Sequence, residues 1–144
     1  MRENLVQKLV RPLLIGSIAT FLLCLVLPGY CVGSHDCPIG VSLLEGGWLS
    51  LLVLQPYWLA NPLLLLAWYF YFRGKTGLGS LMAWGALIVA LSFIFAGTIP
   101  LDEAGTIGSI TSLNIGYYLW VTSMALACAV SLVYIFIEAK RKEI

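Results

Sequence analysis

Charge is what this sequence mostly lacks. Only 10% of its 144 residues are charged, while 60% are hydrophobic; a soluble domain carries about 25% charged residues. A soluble protein this small has too much surface to cover with so few polar groups, so a water-exposed globular domain is excluded. Histidine is almost missing too. The single one, His35, lies in a loop, which excludes an HExxH zinc site and haem held by a transmembrane histidine. No phosphate-binding glycine loop follows a strand, and no basic patch is interleaved with aromatics. Neither a cofactor nor nucleic acid is expected.

Long uncharged runs take the place of charge. There are 24 residues between Arg11 and Asp36 without Asp, Glu, Lys or Arg, 27 between Glu45 and Arg73, 26 between Lys75 and Asp102, and 34 between Glu103 and Glu138. A helix crosses the ~30 Å hydrocarbon layer with about 20 apolar residues. The expectation is one all-α membrane domain over residues 1–144, a bundle of four transmembrane helices at about 12–28, 47–72, 78–99 and 112–138. Outer loops are expected at about 29–46 and 100–111, with a cytoplasmic turn at about 73–77. The first run has the basic start and apolar centre of a signal peptide. However, Pro28-Gly29-Tyr30-Cys31 offers no A-x-A cleavage pattern, so the run is read as a retained helix.

The cations fall in three places: Arg2, Lys8 and Arg11; Arg73 and Lys75; Lys140, Arg141 and Lys142. The other two loops carry Asp36, Glu45, Asp102 and Glu103. Short cationic loops stay inside. Both termini and the 73–77 turn are therefore expected in the cytoplasm, in a multi-pass protein of the plasma (cytoplasmic) membrane. The second run is the irregular one. Continuous from Gly46 to Phe72 it would be about 40 Å long, and Pro56 and Pro62 each remove a backbone hydrogen bond. It is expected to break or kink near them, with residues 43–55 either part of the second helix or a separate surface helix.

Small residues that let helix backbones approach mark the packing seams: Gly16, Thr20 and Cys24 in the first helix, Gly79, Ala83, Ala86 and Ala90 in the third, and Ser123, Ala127 and Ser131 in the fourth. They pack the bundle internally or receive a partner helix. The amides of Gln55, Asn61 and Asn114 need hydrogen-bond partners at membrane depth. Asn61 is expected to bond a neighbouring helix or the carbonyl freed by Pro62, with a ligand or pore contact as the alternative, and Asn114 to cap or line the outer start of the fourth helix.

The chemistry-bearing stretch is GYCVGSHDCPIG, Gly29 to Gly40. Ser34, His35 and Asp36 are consecutive, so their side chains diverge and cannot form a triad. Zinc on Cys31, His35 and Cys37 would need a fourth ligand and reduced thiols. A Cys31–Cys37 disulfide on the oxidising outer side is the simpler reading, contributing roughly 2 kcal/mol through loop entropy. The helix cores lack the ionisable residues that mark proton relays and ion paths. The expected function is therefore non-enzymatic: an accessory, regulatory or immunity-type binding partner of a membrane protein or complex. A small-solute transporter or oligomeric channel is the alternative, and an envelope thiol/quinone redox protein the second. Partners are the lipid bilayer and a membrane protein or further copies of the chain.

Overall fold

A computed structural model describes residues 2–34 and 36–142, and the backbone alone for residues 2–6 and 141–142. The chain is mostly helical, with α1 (Arg2–Leu25), α2 (Gly40–Gly46), α3 (Ala60–Phe72), α4 (Thr76–Ser92) and α5 (Ile115–Lys142). Among the described residues, three helices are long and apolar enough to cross a membrane, through windows Gln7–Leu25, Thr76–Phe95 and Ile115–Lys140. α1 packs on α5, α5 on α4 and α4 on α3. Trp68 of α3 meets Phe21 of α1 edge to face at 5.5 Å, which closes the ring of helices.

The expected all-α fold needs correction. A three-stranded antiparallel sheet, in the order β1-β3-β2, covers one end of the helices. β1 is Tyr30–Val32, β2 is Thr98–Pro100 and β3 is Ile107–Leu113. The long expected helices are trimmed to make it. α1 ends at Leu25 because Pro28 and Gly29 follow. The helix expected to reach residue 99 stops at Ser92, passes through a 3-10 turn at Phe93–Phe95 and becomes extended at Ala96. The helix expected from residue 112 begins at Ile115, because Ser112 and Leu113 pair with Cys31 and Tyr30. By joining the segment after α1 to the segment between α4 and α5, the sheet fixes both acidic loops at one end of the molecule. The Arg73–Lys75 turn and the far ends of α1 and α5 lie at the other.

The second apolar run is interrupted, as its prolines imply. It forms α2, a 3-10 segment at Gly47–Val53, a break at Leu54 and Gln55, a second 3-10 turn at Pro56–Leu59, and then α3. Leu54 adopts a left-handed backbone (φ 59°), which a branched side chain disfavours. Pro56 opens its 3-10 turn, where a missing N–H costs nothing. Pro62 sits in the first turn of α3 for the same reason.

Core packing follows the small residues. Ala83, Ala86, Ala90 and Ala127 are fully buried. A Cβ on Gly79 would come within 2.7 Å of the Tyr71 ring, so α3 and α4 are in close contact at the cationic end.

Candidate functional site: a cavity at the acidic end

Neutral polar groups cross-link the interior of the bundle. Ser17 of α1 donates to the Ser123 carbonyl (2.6 Å) and accepts from the Trp68 indole (2.9 Å), joining three helices. The Tyr71 hydroxyl donates to the Ala127 carbonyl (3.2 Å), Trp84 Nε1 to Ser131 Oγ (3.4 Å), and Tyr117 to the Ala90 carbonyl (3.1 Å). An unpaired polar group is costly in an apolar interior, so each bond also fixes helix register. Sequence reasoning missed Ser17 and Trp68; the available signal was an indole N–H inside an apolar run, which must find an acceptor.

The seam residues spread over different tasks. Ser123, Ala127 and Ser131 are buried on α5, and Gly79, Ala83, Ala86 and Ala90 are buried on α4. On α1, Cys24 is buried, while Gly16 and Thr20 are half-buried and the Thr20 hydroxyl returns to the Gly16 carbonyl of its own helix (2.8 Å). Cys24 and Cys128 are free thiols.

At the sheet-covered end, Cys31 and Cys37 form a disulfide with Cα atoms 4.1 Å apart. Gly33, between them, takes φ +63°, a turn conformation that glycine adopts without a Cβ penalty. The Thr111 hydroxyl donates to the Gly33 carbonyl (2.9 Å), fastening the loop to β3. Thiols joined to each other are not available as zinc thiolates. His35 lies outside the described residues, and among those described no three His, Cys, Asp or Glu side chains converge on a metal position. Asn114 precedes α5, and its carbonyl accepts from the amides of Tyr117 and Tyr118. Its side-chain amide does not cap the helix but donates to Cys31 Sγ (2.9 Å). Gln55 donates to the Thr98 carbonyl (3.1 Å), tying the break in the second run to β2.

These ties surround a cavity of about 300 Å³. Its floor comes from the turns of the bundle nearest the sheet, at Phe21, Cys24, Asn61 and Trp120. The sheet side contributes Tyr30, Phe93 and Tyr117, and Asp36 stands at the exposed mouth. The segment from α2 to the second 3-10 turn forms the remaining wall, with Ser42, Ser50, Tyr57 and Trp58. That wall is pinned at both ends. The Gly40 amide donates to the Leu27 carbonyl (3.0 Å), and a Cβ on Gly40 would strike the Cys24 carbonyl. Trp58 Nε1 donates to the Leu44 carbonyl (2.9 Å).

The polar groups of the cavity are only partly satisfied. Asn61, 7% exposed, accepts from Trp120 Nε1 (2.8 Å) through its carbonyl oxygen, but its amide nitrogen donates to no group among the described residues. Ser50 is 8% exposed and its hydroxyl has no partner there. Desolvation pushes the Tyr30 phenol up to about 12, with the Asp36 charge adding to it. Among the lining residues only Asp36 carries a charge at neutral pH. The second acidic loop is a self-contained turn. The Thr106 side chain and the Thr106 amide (2.9 Å) bond the Asp102 carboxylate and hold it below its usual range.

Compared with known proteins, the chain matches no family model, no curated sequence and no solved structure.

Proposed function

We propose that this chain is a non-enzymatic, multi-pass protein of the cytoplasmic membrane that acts by binding, as an accessory or regulatory partner of a membrane protein or complex. In this reading four segments span. The fourth is the 3-10 turn at Pro56–Leu59 together with α3. At about 2 Å per 3-10 residue and 1.5 Å per α residue it reaches roughly 28 Å, close to the thickness of the hydrocarbon core. Both termini and the Arg73–Lys75 turn face the cytoplasm, because cationic short loops are retained there.

One observation carries the binding reading. The bundle is cross-linked by neutral hydrogen bonds and tightly packed at its cationic end, while the opposite end holds a preformed cavity with unmatched polar groups. A cavity open at one end and backed by close-packed helices supports recognition over passage of a solute. The uncharged interior supports neither proton coupling nor acid–base catalysis.

The test is retention of a stoichiometric partner from native membranes, read by native mass spectrometry. Ser42→Trp places an indole at the cavity rim; Leu81→Trp changes an exposed apolar position on α4. The reading expects Ser42→Trp to lose the partner and Leu81→Trp to keep it. The opposite pattern would move recognition to the helix faces and overturn it.

A further inference from the structure

The chemistry of the cavity restricts its occupant more closely than its size does. Ser50, 8% exposed, presents a buried hydroxyl without a partner among the described residues, and Asn61, 7% exposed, an amide nitrogen that donates to none of them. The unpaired Gln55 Oε1 belongs to the neighbouring break and is not part of the cavity lining. Buried donors of this kind are satisfied by an oxygen acceptor, whether carbonyl, ether or hydroxyl. A bare cation could be met by the Ser50 oxygen but would leave the Asn61 N–H unmet. An anion would enter without a countercharge, since no lysine or arginine lines the cavity and Asp36 stands at its mouth. Burying an unpaired charge is far more costly than burying a neutral head.

The wall of the cavity indicates where such a molecule comes from. On the side away from the cavity floor, the segment between α2 and α3 exposes Trp48, Leu52, Val53 and Leu54, the last at 92%. A contiguous exposed apolar stretch beside a tryptophan suits the outer membrane interface. A volume of about 300 Å³ lies at the small end of ligand sites. It holds a head group and its first carbons, with a longer chain left in the lipid.

We propose that the cavity binds the head of an uncharged, oxygen-bearing amphiphile that enters from the outer leaflet, its oxygen held by Asn61 and Ser50 and its apolar part against Tyr57 and Phe93. The proposal rests on the acidic end being the binding end.

Three probes sharing one oleoyl-length chain test it on the full chain in phosphatidylcholine nanodiscs: 1-oleoylglycerol, 1-oleoyl-lysophosphatidic acid and oleyltrimethylammonium. Tryptophan fluorescence follows binding, because Trp58 and Trp120 line the site. The neutral probe saturates, and the two charged probes bind at least about tenfold more weakly. Ser50→Ala weakens the neutral probe about fivefold. The same variant leaves the melting temperature of the ligand-free protein unchanged or raised, because it removes an unpaired buried hydroxyl. A structural serine would lower it. Ser42→Trp abolishes saturable binding.

Equal affinity for all three heads would overturn the proposal, as would binding that is indifferent to Ser50→Ala. The absence of any saturable binding would mean a cavity filled only by water, and would overturn it equally. If the neutral probe fails while Ser42→Trp still loses the protein partner, the ligand chemistry is wrong and the functional reading stands. If the probe binds while Ser42→Trp keeps the partner, the functional reading falls instead.

Discussion

The two ends of this molecule solve the same problem, neutral polar groups in an apolar setting, in opposite ways. Toward the middle and the cationic end, Ser17, Trp68, Tyr71, Ser123 and Ser131 are all hydrogen-bonded, and the helices meet over alanine and glycine. At the acidic end, Ser50 Oγ and Gln55 Oε1 are buried without a partner among the described residues, and the Asn61 amide nitrogen donates to none of them beside open volume. The walls around them are tied down by the Cys31–Cys37 disulfide, by Gln55 to β2 and by Trp58 to α2. The scaffold of the cavity is held while part of its polar lining is left unpaired, an arrangement that fits the binding role proposed above.

Overfilling the closed region has the largest expected effect. Ala127 is fully buried, so Ala127→Leu should cost roughly 1–3 kcal/mol, read as a lower melting temperature of the purified protein in detergent. Full stability with lost self-association or partner binding would show that α5 is a recognition face, which would erase the contrast between the two ends. The disulfide comes next. Cys31→Ser with Cys37→Ser should cost roughly 2 kcal/mol, with the loss confined to the sheet. Near-ultraviolet circular dichroism should change while the helical far-ultraviolet signal stays. Loss of helical signal would mean that the sheet end holds the bundle together.

Cutting one cross-link in the closed region ranks third. Trp68→Phe and Ser17→Ala should show a coupling of about 0.6 kcal/mol in a double-mutant cycle. Additive losses would remove that bond from the energetic account. The smallest effect lies in titration. The Tyr30 phenol is raised from 10 to about 12 by burial first and by Asp36 second. The folded form then holds its proton more tightly than the unfolded form. This contribution is fully present below about pH 10 and is lost as pH rises toward 12. Absorbance titration near 295 nm should lose one late-titrating phenol in Tyr30→Phe, and an unchanged curve would contradict a desolvated Tyr30.

Part of the frame was legible in the sequence because the length and apolar composition of a helix can be read locally. The apolar runs behind the three helices long enough to cross a membrane, the interruption at Pro56 and the six-residue separation of Cys31 and Cys37 are local signals. The sheet was not legible. β1 and β2 have three residues each, too short for alternation to register, and Ser112 and Leu113 read equally well as a helix start until Cys31 and Tyr30 pair with them. The cavity was less legible still, since its lining comes from both sides of the break at Leu54 and Gln55, from α1 and α5, and from two strands. Ser50 looked like an ordinary serine in an apolar run. Only the fold leaves its hydroxyl without a partner.

Hydrogen exchange in nanodiscs tests most directly the claim that binding belongs to the acidic end. With saturating 1-oleoylglycerol, amides of residues 40–59 and of the three strands should exchange more slowly, while those of α4 and of the 73–75 turn stay unchanged. Slowing centred on α4 or on the 73–75 turn, with residues 40–59 unaffected, would contradict it.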